Sequence, residues 1–116
     1  MIKLTKKQTA LLDQIKTTGM CFNDFDVDLV IKALKDNANL WIDGVYDDDT
    51  LLLLPRKGQE DRLQLMAYKY TCADEIDLFD TGHRAAYLFN TVEQGPFVKG
   101  DISRIEKKPV VRLWWD

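Results

Sequence analysis

The chain is poor in the residues from which enzymes most often build active sites. Its 116 residues include one histidine, His83, one serine, Ser103, and two cysteines, Cys21 and Cys72. None of the four stands in a motif that joins a nucleophile to a base. Two cysteines and one histidine, with no Cys-x-x-Cys spacing, do not supply a zinc site. Without a cysteine framework, both thiols are expected to be reduced and half-buried. No apolar stretch approaches the roughly 20 residues that a membrane helix needs. The first residues, Met1-Ile2-Lys3-Leu4-Thr5-Lys6-Lys7, have no apolar segment behind them of the kind a signal peptide carries. The expectation is a cytoplasmic protein with no cofactor, no metal and no membrane contact.

What is present is ordinary for a globular chain: 46% hydrophobic and 30% charged residues argue against disorder. The length fits a single domain over 1–116 that buries roughly two thirds of its unfolded surface. The longest apolar run, Leu51-Leu52-Leu53-Leu54, is bracketed by Asp47-Asp48-Asp49 and Pro55-Arg56-Lys57. A run of that length between turn signals reads as a strand buried on both faces, and therefore a central one. The flanking charges guard so sticky a segment while the chain folds.

Upstream lie two helical patterns. Thr5-Lys6-Lys7-Gln8 has the spacing of a capping box. Leu4, Gln8, Leu11, Leu12 and Ile15 then share one face, and Gly19 suits the exit, so a helix is expected from about Lys6 to Thr17. Val27, Val30, Ile31, Leu34 and Ala38 repeat the pattern, predicting a second helix from about Asp24 to Asp36, capped at Asn23 and left at Asn37. Asp24, Asp26 and Asp28 would lie in its first turn, where the helix dipole favours negative charge. Leu40 to Tyr46 reads as a strand with a bulge at Gly44, joined by Asp47-Asp48-Asp49 to the leucine strand.

Beyond the polar loop from Arg56 to Asp61, the pattern is less decisive. Arg62 to Thr71 fits either a strand or a helix; Tyr68, Tyr70 and Thr71 favour a strand paired with Leu51–Leu54. Cys72 to Asp80 reads as a short helical turn. Residues 85–92 could be either element, Gly95-Pro96 breaks the chain, and Val110 to Trp115 reads as a last strand. The expected fold is α+β: two N-terminal helices packed on a mostly antiparallel sheet of four or five strands.

Three chemical patterns fail on their own residues. Asp24, Asp26 and Asp28 match the start of a calcium loop, but Leu29 stands where glycine is needed and Lys35 where the bidentate glutamate belongs. Gly95 and Gly100 have phosphate-loop spacing, yet Asp101 and Ile102 replace the lysine and hydroxyl residue. With nineteen acidic residues, a pairing of carboxylates carries no information.

From Leu4 to Pro55, a capped helix, a second helix and a hairpin together resemble the layout of winged-helix domains. That resemblance implies a nucleic-acid-binding regulator using Lys3, Lys6 and Lys7 with the basic C-terminal segment. Against it, Asp28, Lys32, Lys35 and Asp36 on the would-be recognition helix sum to zero, and the would-be wing tip, Asp47-Asp48-Asp49, repels phosphate.

Charge is distributed unevenly. Asp24 to Asp49 holds eight aspartates and two lysines, whereas Lys99 to Arg112 holds five basic and two acidic residues. The favoured function is non-enzymatic binding of a protein partner with a basic face, in a monomer or homodimer of the inhibitor or phage and mobile-element accessory type. The surface would be acidic, built from Asp24, Asp26, Asp28, Asp47, Asp48 and Asp49. Trp115 is added as an outward aromatic, because adjacent Trp114 and Trp115 on a strand face opposite ways. A nucleic-acid-binding regulator is the alternative, and an enzyme whose site lacks a motif is the third reading.

Overall fold

We describe the protein from a computed structural model, in which residues 3–19, 25–47, 50–81 and 107–115 are described. The order of elements is α1 (Lys6–Thr18), α2 (Val27–Asp36), β1 (Trp41–Asp47), β2 (Thr50–Pro55), α3 (Glu60–Tyr70), β3 (Glu75–Phe79) and β4 (Val110–Trp114). The strands form an antiparallel sheet in the order β1-β2-β4-β3. The fold is α+β, with two helices ahead of the strands.

β2 is the strand expected from the leucine run. Every residue from Thr50 to Pro55 is buried. Leu51 and Leu53 point to the helices, where they meet Leu11 and Ile15 of α1, Leu34 of α2 and Leu63 of α3. Leu52 and Leu54 face the other way, into a second cluster with Val45 and Val110, against which Ile42 and Phe79 pack. Fully burying one leucine side chain contributes about 1.5–3 kcal/mol, so this strand alone is a large part of the driving force. Gly44 of β1 is required by close approach. A Cβ there would lie 2.8 Å from Leu11 Cδ2 and 2.8 Å from the Leu52 carbonyl. The expected bulge falls earlier, between Trp41 and Asp43.

α1 begins with both halves of its capping box. The Thr5 hydroxyl accepts from the Gln8 N–H at 3.2 Å, and the Thr5 N–H donates to Gln8 Oε1 at 3.0 Å. Gln8 is itself buried, and its Nε2 donates to the carbonyls of Ala38 at 2.8 Å and Trp41 at 2.7 Å. One amide thus closes the cap of α1 and joins it to the turn between α2 and β1. Further along, Gln14 Nε2 donates to the Tyr46 carbonyl at 3.0 Å, so α1 runs beside β1 for its length. α2 starts three residues later than expected, with Asp26 rather than Asn23 as its cap; the Asp26 carboxylate accepts from the Leu29 N–H at 3.1 Å. Asn37 ends it, as expected.

The structure corrects three expectations. Arg62 to Thr71 is not a strand beside β2 but most of α3. Leu63, Met66 and Ala67, at helical spacing, enter the core, while Tyr68 and Tyr70 are exposed. Their preference for a pleated surface had no burial on which to act. β2 pairs instead with β4. The acidic stretch expected as a helical turn forms β3, because Arg112 of β4 answers its charges: the guanidinium lies 2.8 Å from Asp77 and 4.0 Å from Glu75. Ile76 packs against the core from the other side of β3.

The third correction concerns the tryptophans. Trp115, expected to face outward as a contact residue, is fully buried. Its Nε1 donates to the Thr71 carbonyl at 2.9 Å, and its ring meets Phe25 edge-on at 4.8 Å. Trp114, half-buried on the opposite side, lies under Arg112 at 5.9 Å. The expected element over 85–92 and most of the 97–108 stretch lie outside the described residues.

Helix α3 ends at Tyr70 with Thr71 as its cap, and Cys72, the residue after the cap, is a non-glycine residue with φ of +57°, where glycine is the usual choice. Cys72 is exposed, not half-buried as expected.

Two stability measurements follow from this packing. Gln8→Leu withdraws the amide from two buried carbonyls and should cost about 2–4 kcal/mol, read as a lower urea midpoint; an unchanged midpoint would contradict the junction. At position 72 the sign should depend on the side chain. Cys72→Gly is neutral or stabilising by up to about 1 kcal/mol, whereas Cys72→Val destabilises by about 1–2 kcal/mol.

Candidate functional site

The register of the sheet sorts the chain's charges into two ends. The end of β1, the starts of β2 and β3 and the end of β4 lie together; their opposite termini lie at the other end. The helices follow this axis. Gln8 places the start of α1 beside Trp41, and Gln14 places its last turns beside Tyr46.

The acidic end is assembled by aromatic packing. Phe25, just before the α2 cap, stacks on Tyr46 with centroids 5.8 Å apart and planes at 15°. Tyr46 is the neighbour of Asp47, and Phe25 of Asp26. The start of α2 and the end of β1 are therefore side by side, although their acidic runs are far apart in sequence. Gly19 completes the seam. A Cβ there would clash with the backbone carbonyl of Ile15 and lie 3.2 and 3.3 Å from Val27 Cγ2 and the Tyr46 hydroxyl, so the exit from α1 requires glycine and passes close to α2 and β1.

Asp26, Asp28 and Asp47 can be placed on this frame. Asp26 is exposed but occupied as the cap of α2. Asp28 is exposed in the first turn of the same helix. Asp47 is the last residue of β1 and pairs with Thr50. Asp24, Asp48 and Asp49 lie outside the described residues. Asp74 and Glu75, at the start of β3, are exposed at the same end. Lys16, in the last turn of α1, brings one positive charge to it.

The basic end draws on three separate segments, two of which, the lysines ahead of and opening α1 and the basic C-terminal segment, the winged-helix resemblance already joined. Lys6 and Lys7 of α1 and Lys108, just ahead of β4, line one recess of about 340 Å³ with Thr5, Ile42 and Leu54. Asp43 of β1, itself buried, forms part of the wall. Arg56 follows β2 at the same end; its Nε donates to the Asn39 carbonyl at 3.0 Å. A further recess of about 260 Å³ adjoins, also lined by Lys7 and Asp43.

A third feature runs between α2 and α3. Leu29, Lys32, Ala33 and Asp36 of α2 face Lys69, Tyr70 and Cys72 across a groove of about 580 Å³. Leu29 and Tyr70 are 38% and 53% exposed, high for large apolar side chains. Lys32 donates to Asp36 at 2.8 Å, and this hydrogen bond with the aspartate charge raises the lysine above its usual pKa.

Among the described residues, no three His, Cys, Asp or Glu side chains gather as metal ligands would. His83, Ser103 and Cys21 lie outside those residues. No helix among them is long and apolar enough to cross a membrane. The hairpin that resembled a wing does not stand apart from the helices. Its second strand is enclosed between β1 and β4 in the four-stranded sheet. No family model, no curated protein and no solved structure matches this chain.

Proposed function

We propose that this protein acts by binding, not by catalysis, and that it presents its acidic end to the basic face of a protein partner. One observation carries the reading: the Phe25–Tyr46 stack brings the start of α2 against the end of β1. Two acidic runs that the sequence holds apart thereby border one surface. Asp28 lies in the first turn of α2 and Asp47 ends β1; Asp48 and Asp49 follow Asp47 in the chain, and Asp24 precedes Phe25. Several carboxylates on one surface suit long-range attraction to lysine and arginine side chains, which accelerates encounter more than it prolongs the complex. A partner surface that normally holds nucleic acid has the same chemistry. In the cytoplasm, such a module serves as an inhibitor or as an accessory of a phage or mobile element.

The test is a tagged pull-down from host lysate treated with nuclease, followed by kinetics on the captured protein. The variant combines Asp28→Lys, Asp47→Lys, Asp48→Lys and Asp49→Lys, and spares Asp26 because its carboxylate caps α2. The expected result is an unchanged circular-dichroism spectrum, an association rate lowered by about tenfold or more at low salt, and a flatter salt dependence. A captured protein whose association rate and salt slope are the same for both forms would overturn the proposal.

A further inference from the structure

We infer that the basic end is a second interaction surface, and that it holds the phosphate backbone of a nucleic acid. The inference is independent of the acidic end, which lies at the opposite pole of the sheet.

The surface converges from segments distant in sequence. Lys6 and Lys7 come from the first turn of α1, and Lys108 comes from the chain entering β4. The sheet register explains the meeting: Leu53 pairs with Val111, so the entry to β4 lies beside the exit from β2, and Leu54 floors the recess between the lysines. Lys107 precedes Lys108, and Lys3 and Lys57 stand two residues from Thr5 and Pro55 in the chain; all six lysines are exposed. No ion pair joins any of them to a carboxylate among the described residues. Carboxylates temper the positive surface: Asp43, within the recess wall, is 3% exposed and hydrogen-bonded to the Gly44 N–H at 2.8 Å, exposed Asp80 follows Phe79, which pairs with Val110 at the entry to β4, and Glu60 and Asp61 open α3 after β2.

The arrangement also runs against the local field. The first turn of α1 has no acidic residue and carries two lysines at the positive end of the helix dipole. An anion seated among Lys6, Lys7 and Lys108 relieves that repulsion. Point charges on flexible stems around a shallow recess suit a backbone of repeated phosphates. The lysines offer no planar, bidentate reader of base edges, and Arg56 at the same end holds its Nε on the Asn39 carbonyl, so binding is expected with little sequence preference.

The experiment is fluorescence anisotropy with a short labelled oligonucleotide of mixed sequence, as a single strand and as a duplex, across a salt series. Three lysine–phosphate contacts give a log–log slope of about 2–3, so affinity should fall roughly 20–40-fold between about 50 and 200 mM salt. Lys6→Glu combined with Lys108→Glu should weaken binding at low salt by more than about tenfold at unchanged melting temperature. Asp28→Lys with Asp47→Lys should leave it intact, which separates this surface from the acidic one. No binding at the lowest salt overturns the inference, as does equal affinity of the double-glutamate variant. Equal binding of a sulfated polysaccharide, or stronger binding to anionic lipid vesicles, also overturns it, because the occupant would then not be a nucleic acid.

Discussion

The leucine strand β2 has to be shielded from water on both faces and along both edges, and that demand organises the molecule. Its hairpin partner β1 closes one edge at once. The other edge is closed by β4, which arrives from the far side of α3 and β3 in sequence. One face is covered by all three helices through Leu11, Leu34 and Leu63, and the opposite face gathers Val45 and Val110. Gln8 makes this cover rigid. Its buried amide fastens the start of α1 to the turn that launches β1, so helix and sheet share one set of hydrogen bonds.

Where the sequence was legible, a local signal and a tertiary one agreed. The capping box at Thr5 and the helical repeat through Ile15 coincide in α1, and an apolar run between turn residues became the enclosed strand. Where it was not, two periods fitted the same residues. Leu63, Leu65 and Ala67 alternate like a strand, but the core selected Leu63, Met66 and Ala67, and Leu65 is exposed. β3 was hidden for another reason. An acidic edge strand is stable when a cation lies across from it, and Arg112 stands far along the chain. The tryptophans show the limit of parity. Alternation correctly assigned Trp114 and Trp115 to opposite sides, but which side was core depended on Phe25 and Thr71.

The candidate surfaces repeat that lesson at the level of charge. The acidic residues were visible as runs, and their meeting depends on the packing of Phe25 on Tyr46. The lysines of the basic recess were grouped in the sequence through the winged-helix resemblance, but what unites Lys6 and Lys7 with Lys108 is the docking of α1 through Gln8 together with the register of β2 on β4. A small net charge of −3 thus conceals an uneven distribution, with Lys6, Lys7 and Lys108 around one recess and Asp28, Asp74 and Glu75 at the other end of the sheet. A molecule of this kind turns in an electric field before it touches anything, so each pole selects its own approach direction.

The position of β4 has a consequence for synthesis. It enters between β2 and β3, both of which leave the ribosome before it. α1, α2 and the β1–β2 hairpin can dock through contacts close in sequence while the remainder is still being made. During that interval β2 lacks its second neighbour, and the nascent chain displays an open edge rich in leucine. The charged residues on either side of Leu51–Leu54 then act as a temporary guard, whose service ends when the last strand closes the sheet.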